Sequence, residues 1–302
     1  MLDKVDRNPV DIHCILDNNA NKRKRNGDLD ESNEYSREHK QTRRHAFHTN
    51  VLDHCETPKV AYIHLQNFLD VLGRNLHIEP ATKMSIWDPF YCDGSTKRIF
   101  TEIGFFNVIH ENMNFYELIR ERKIPKHDIL VTNPPYSDDH IDRLLDFVIT
   151  HQVPRKATSC LLLPNWVSRK SDYQSKFVKP IEDANYELLY LAPLEPYTYT
   201  MPTWVSEKDR PEHVGGNGQT TPYLSSWYLI VPKLSKKQSL LDRLDIISKQ
   251  QKPPIWVVAK TVKGVKWKIQ KAGQRIKGTG KRNNKSKRGK KQSGGTNLFT
   301  EA

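Results

Sequence analysis

Apolar residues in this chain fall into short runs whose spacing alternates between continuous and helical. Ile86-Trp87, Phe105 to His110, Ile129 to Thr132, Ser159 to Leu163, Leu188 to Leu191 and Trp227 to Val231 read as buried strands. Between them lie helical spacings. Ser95 to Ile103 puts Ile99, Phe100 and Ile103 on one face, with Gly104 as the stop. After Tyr136, the residues Ile141, Leu144, Leu145, Val148 and Ile149 follow a helical period, with Ser137 as the expected cap and Asp138 and Asp139 in the first turn. Upstream, Thr57-Pro58 opens a helix carrying Ala61, Leu65, Phe68, Leu69 and Leu72 on one face, Thr being a good cap and Pro a good first residue.

Strands separated by helices imply an α/β fold: a doubly wound, mostly parallel sheet with helices on both faces. The expected organisation is a polar and basic arm over 1–50, a main domain over 51–235, an extension over 236–270 and a Lys/Arg-rich tail over 271–302. Both ends lack the apolar content to offset the entropy of ordering. In the extension, Leu240, Leu241, Leu244 and Ile247 suggest a helix over 239–250 ended by Pro253-Pro254. Ile255 to Ile269 reads as a basic hairpin whose Trp256 and Trp267 serve either as packing anchors or as stacking platforms for bases. Glu195 to Leu224, with Gly215-Gly216-Asn217-Gly218, is long for a connection in a compact domain and marks a functional loop or disorder.

Charge narrows the partners. The net charge is +13, and residues 277–291 carry eight basic side chains and no acid. Such a tail suits nucleic acid, DNA or RNA, through its phosphates. Lys22-Arg23-Lys24-Arg25 reads either as a nuclear localisation signal or as a solvated charge run. Cys14, Cys55, Cys92 and Cys160 form no Cys-x-x-Cys pair, which argues for a reducing intracellular compartment, nuclear or cytoplasmic. His45, His48, His54 and Cys55 fit no zinc spacing, so no metal is expected. No apolar run approaches the roughly 18 to 20 residues of a membrane span.

The chemistry concentrates at Asn133-Pro134-Pro135-Tyr136, which follows the apolar run Ile129 to Thr132. Two prolines cannot continue a strand, so the chain must leave the sheet as a stiff loop. In open α/β sheets that position, beyond the carboxyl end of a strand, is where ligands bind. The Asn133 side chain and the Pro134 carbonyl offer two acceptors, and Tyr136 offers an aromatic face, a set suited to a planar group bearing an NH2.

With these four residues the chain resembles the S-adenosylmethionine-dependent amino-methyltransferases of the Asn/Asp-Pro-Pro-Tyr type, chiefly N6-adenine methyltransferases. The resemblance covers about Thr57 to Val231 and implies a Rossmann-like class I methyltransferase fold. It implies Asn133, Pro134, Pro135 and Tyr136 as catalytic residues, with Tyr136 stacked on the target base. It further implies that Asp88, Pro89, Phe90 and Gly94 form the cofactor loop, with Cys92 standing near a usual glycine. Glu111 would accept from the ribose hydroxyls, and as a bare residue it also reads as a surface glutamate. Asn114 and Phe115 would line the adenine, the Asn114 side chain meeting its amino group. Thr57 and Pro58 would touch the methionine end, a role compatible with helix capping.

The leading expectation is methyl transfer to N6 of adenine in DNA or RNA. Protein-glutamine N5-methylation remains an alternative, because a carboxamide presents the same NH2. So does a catalytically silent nucleic-acid-binding subunit, which Cys92 favours. Target recognition is expected from Glu195 to Leu224, the hairpin, the tail or a protein partner.

Overall fold

A computed structural model of the chain describes residues 53–201, 208, 224–233 and 239–273, all within one compact unit, Thr42–Ala302. The Lys22–Arg25 run, His45, His48, the Gly215–Gly218 stretch and the basic run 277–291 lie outside the described residues.

Among the described residues, seven strands form one sheet: β1 (Ile86–Trp87), β2 (Val108–Ile109), β3 (Ile129–Thr132), β4 (Thr158–Pro164), β5 (Tyr186–Pro193), β6 (Ser225–Pro232) and β7 (Trp256–Ala259), in the order β2-β1-β3-β4-β6-β5-β7. The first four pair in parallel, with Trp87 beside Leu130 and Leu130 beside Ser159. β6 then runs antiparallel to β4, and β5 antiparallel to β6, so β5 points the same way as β1 to β4. Five of the seven strands therefore share a direction.

Successive strand residues point to opposite faces, and each face has its own core. On one, Ile129, Val131, Cys160 and Leu162 pack with Ala61, Leu65 and Phe68 of α1 (Lys59–Leu76), Ile99 and Phe100 of α2 (Ser95–Glu102), and Leu240 and Leu244 of α6 (Leu240–Gln250). On the other, Leu130, Leu161 and Leu163 pack with Phe115 of α3 (Phe115–Arg120), Leu144 of α4 (His140–Phe147), Ile181 of α5 (Lys179–Asp183) and Val265 of α7 (262–273). Helices thus cover both faces, as the alternation of periods requires. Burying a side chain such as Phe68 or Leu65 contributes about 1.5–3 kcal/mol. Trp227 Nε1 also donates to the Ala61 carbonyl at 3.0 Å, fixing α1 against the sheet.

Four expectations need correction. Residues 255–269 are not a hairpin: Trp256–Ala259 is an edge strand paired with β5, and 262–273 is a helix. The segment set apart as an extension over 236–270 therefore supplies part of the sheet. Its two tryptophans differ, Trp256 being fully buried and Trp267 57% exposed. The α1 cap position is Pro58, with no side-chain cap, so Thr57 does not cap. Ser137 does not cap α4 either: its hydroxyl donates to Asp53 Oδ2 at 2.7 Å, and the helix begins at His140 behind Asp139. No helix among the described residues is long and apolar enough to cross a membrane.

Candidate active site

A cavity of about 350 Å³ opens beyond the carboxyl ends of β1, β2 and β3, where the parallel strands release their loops. Three short ties bring those loops together. Asp88, buried just after β1, accepts from Thr132 Oγ1 at 2.6 Å and from Thr96 Oγ1 at 2.9 Å. One carboxylate thereby joins the loop after β1 to the first turn of α2 and to the last residue of β3. The third tie is Ser137 to Asp53, which holds the segment before α1 against the loop after β3.

Burial pushes the Asp88 carboxyl above the usual carboxylate range, while His110 and the two hydroxyls pull it back. The His110 ring lies beside it, with Nδ1 3.1 Å from the Asp88 carbonyl, and Tyr91 stacks on that ring at 4.9 Å. Asp88 is therefore a positioning residue for the loops.

In the loop after β1, Pro89, Phe90, Tyr91 and Cys92 line the cavity. Cys92 occupies the left-handed region at φ 47°, where a glycine would be cheaper. Burial, followed by the charge of Glu56, raises its thiol well above the ordinary value, so it stays protonated. Gly94 does not reach the cavity. It starts α2 at φ 81°, and a Cβ there would meet the Tyr91 hydroxyl at 2.6 Å. Its role is to let Tyr91 close over the turn.

Asn114 and Phe115 both line the cavity. Phe115 packs at 5.1 Å from Phe90, giving two tilted rings on one wall. The Asn114 side chain, however, is the cap of α3: Oδ1 accepts from the Tyr116 N–H at 3.0 Å and the Glu117 N–H at 3.4 Å. With that oxygen engaged by the backbone, what Asn114 offers a ligand is its Nδ2 donor, not the acceptor expected for an amino group.

Asn133 and Pro135 line the cavity, whereas Pro134 is buried and Tyr136 stands off the wall. The Tyr136 hydroxyl lies 2.8 Å from Asn133 Oδ1 and 3.2 Å from the Leu162 carbonyl. It has one proton to donate, and the shorter contact goes to Asn133. Burial holds the phenol well above its ordinary value, so that proton is retained. Tyr136 thus orients the Asn133 amide, and Oδ1 keeps a second lone pair for a ligand. Thr57 lines the cavity; Pro58 does not, and Glu111 is exposed and outside it.

The cavity also gathers residues for which the sequence suggested no site role: Asp53, Glu56, Tyr116, Asp138, His140 and Arg143. Tyr116 follows Phe115 and makes a short hydrogen bond with His140 Nδ1, while the Arg143 guanidinium sits 3.5 Å over its ring centroid. Burial pushes the Tyr116 phenol up to about 12, with Arg143 opposing. His140 and Arg143 lie three apart on α4, a spacing that puts both on one helix face. That spacing was the available signal. Cys55, also in the lining, sits 3.5 Å from Met201 Sδ, and burial with Asp53 raises its thiol to about 11.

Chemically, the described residues of the cavity combine the rings of Phe90, Tyr91, Phe115 and Tyr116 and the imidazoles of His54 and His140 with the carboxyl groups of Asp53, Glu56, Asp88 and Asp138 and the guanidinium of Arg143. Flat apolar walls with an excess of acids suit a ligand that has an aromatic part and a positive charge.

No protein-family model matches the chain, and no curated protein matches it. Among solved structures, precorrin-6y C5,15-methyltransferase from Geobacter metallireducens GS-15 is similar over 61% of this chain and 98% of that one, with 12% sequence identity and a TM-score of 0.28. The function is therefore read from the cavity itself.

Proposed function

We propose that the chain is an S-adenosylmethionine-dependent methyltransferase acting on the exocyclic N6 of adenine in DNA or RNA. The observation that carries this reading is Asn133 at the cavity wall, its amide held by Tyr136, at the carboxyl end of a central parallel strand.

The residues fit the cofactor. Phe90 and Phe115, side by side on one wall, would pack against one face of an adenosine, the Asn114 Nδ2 donor would meet a ring nitrogen, and Asp53 and Glu56 would balance the charges of a sulfonium and an ammonium. When bound, the cofactor supplies a methyl group on a positively charged sulfur. Asn133 does the work on the other reactant. Its Oδ1 accepts a hydrogen of the amino group and favours the nitrogen as it becomes positive, which is where a preorganised dipole lowers a barrier. Pro134, expected to supply a second acceptor, is buried and off the cavity wall, so the role rests on Asn133 Oδ1, and Pro135 stiffens the loop that carries it.

Tyr136 acts here as a positioning residue, holding the amide for Asn133, and Tyr116 supplies the ring over the target base. A duplex target would have to release its base into the cavity, at a cost of a few kcal/mol that an unpaired base avoids. Replacing Asn133 by Ala while measuring cofactor binding and transfer separately tests the assignment: binding should persist and transfer should fall.

One set of observations favours the silent-subunit reading. Glu111 stands outside the cavity, the Asn114 acceptor is engaged by α3, and Cys92 holds a left-handed conformation in which a glycine would be cheaper. Titration with S-adenosylmethionine separates the two, since a silent subunit that has lost its cofactor gives no binding.

A further inference from the structure

A second concavity, of about 570 Å³, shares no residue with the first. It lies along β5 and the start of α7, at the antiparallel side of the sheet. Arg169, Lys233, Lys260, Lys263 and Lys266 line it, against the two carboxylates of Glu182 and Glu187. Among the described residues, none of the five cations forms a salt bridge. Other lysines nearby do: Lys268 donates to Asp245 and to the Val258 carbonyl, anchoring α7 to α6 and β7, and Lys249 pairs with the same Asp245.

The helical period explains the segregation. Val262, Val265 and Ile269 face the core, so Lys263, Lys266 and Trp267 must face out. Lys263, Trp267 and Lys271 stand four apart and form one stripe. Trp267 is 57% exposed, with the Lys271 ammonium 4.5 Å from its ring centroid. Thr261 fixes the start of this helix by accepting from the Gly264 N–H at 3.0 Å.

We propose that this surface binds single-stranded nucleic acid, the lysines and Arg169 taking successive phosphates and Trp267 stacking on an unpaired base. Charge complementarity selects a polyanion, and the aromatic ring set among cations selects one whose anionic groups alternate with flat rings. A lipid surface would need more apolar side chains, and Trp267 is the only large exposed hydrophobic residue on this helix among the described residues. An acidic peptide offers charges without rings. The proposal does not depend on the cavity's chemistry, because binding here needs no methyl donor.

The test uses the full chain, with its basic tail present throughout, and fluorescence anisotropy of labelled single-stranded DNA and RNA at several salt concentrations with no methyl donor. Replacing Lys260, Lys263 and Lys266 together by Ala should lower the salt slope by about 2, at roughly 0.7 per phosphate contact on single strands. Trp267→Ala should weaken binding by about tenfold, with Trp267→Phe restoring most of it. Because all four side chains sit at the surface, unchanged melting temperatures are expected to confirm folding. Equal binding and equal salt slope in wild type and variants would overturn the proposal. So would binding of polyglutamate or anionic vesicles that matches the oligonucleotide and ignores Trp267, or failure of the wild type to bind single strands at low salt. None of these outcomes bears on methyl transfer.

Discussion

The cavity at the parallel side and the cationic surface at the antiparallel side treat their polar groups in opposite ways. Around the cavity, side chains are tied to one another before any ligand arrives: Asp88 to Thr96 and Thr132, Asp53 to Ser137, Tyr136 to Asn133, and Asn114 to the backbone of α3. On α7, the apolar side of the helix is fixed, while Lys263 and Lys266 form no salt bridge among the described residues and Trp267 is exposed. The first arrangement suits a reaction, where orientation must be set in advance. The second suits capture of a long, charged partner, where affinity comes from many loosely held contacts.

The largest effect is expected at the buried tryptophan of β7. Trp256→Ala removes a fully buried ring from β7 and should cost about 3–5 kcal/mol by urea unfolding. A loss below 1 kcal/mol would mean that the edge strand is not part of the core. Next comes Asn133→Ala, expected to reduce methyl transfer about 100- to 1000-fold with S-adenosylmethionine affinity kept within about twofold. Then Asp88→Ala should cost about 1–3 kcal/mol, because it strands the buried hydroxyls of Thr132 and Thr96. It should also weaken cofactor binding, by letting the loops separate.

A pH profile sharpens the picture of the buried core. His64, buried in α1 beside Tyr197, has its pKa lowered from 6.5 to about 4 by burial. The unfolded chain therefore binds more protons than the fold between those values. Stability should be full above about pH 6.5, fall as pH drops towards 4, and level off below, a loss on the order of 2 kcal/mol from this group. Buried His127 is shifted the same way and adds to it. His64→Gln should shrink this acid limb; an unchanged limb would exclude His64 as its source. The smallest effect is expected at the surface: Trp267→Ala should move stability by no more than about 0.5 kcal/mol, in contrast to Trp256→Ala.

Much of this architecture was legible from spacing alone. The run Ile129 to Thr132 is β3 without adjustment, the expected strands at 159–163, 188–191 and 227–231 each lie inside the observed ones, and Gly104 stops α2 at φ 95°. Such agreement arises where one period dominates a segment. It failed at 262–269, where two periods coexist: Val265, Trp267 and Ile269 alternate with Lys266 and Lys268, while Val262, Val265 and Ile269 follow a helix. Packing chose the second set, and Trp267 went outward.

The candidate site was legible as loops but not as side-chain roles. Asp88, Phe90, Asn114, Phe115, Asn133 and Thr57 do converge. What linear order could not reveal is which acceptors the fold itself uses. Asn114 precedes a helix and caps it, and Tyr136 turns back three residues to its own loop. Asp53, Glu56, His140 and Arg143 come from segments whose nearness depends on the ties to Asp88 and Ser137.

The central claim is that Asn133 orients an adenine amino group beside a methyl donor. Its most direct test incubates the full chain, and separately its Asn133→Ala variant, with methyl-labelled S-adenosylmethionine and adenine-containing DNA and RNA, followed by nucleoside analysis. The account predicts label on N6 of adenine with the wild type and its loss in the variant. Label absent from every nucleic acid with a wild type that is folded, or present equally in both proteins, would contradict it.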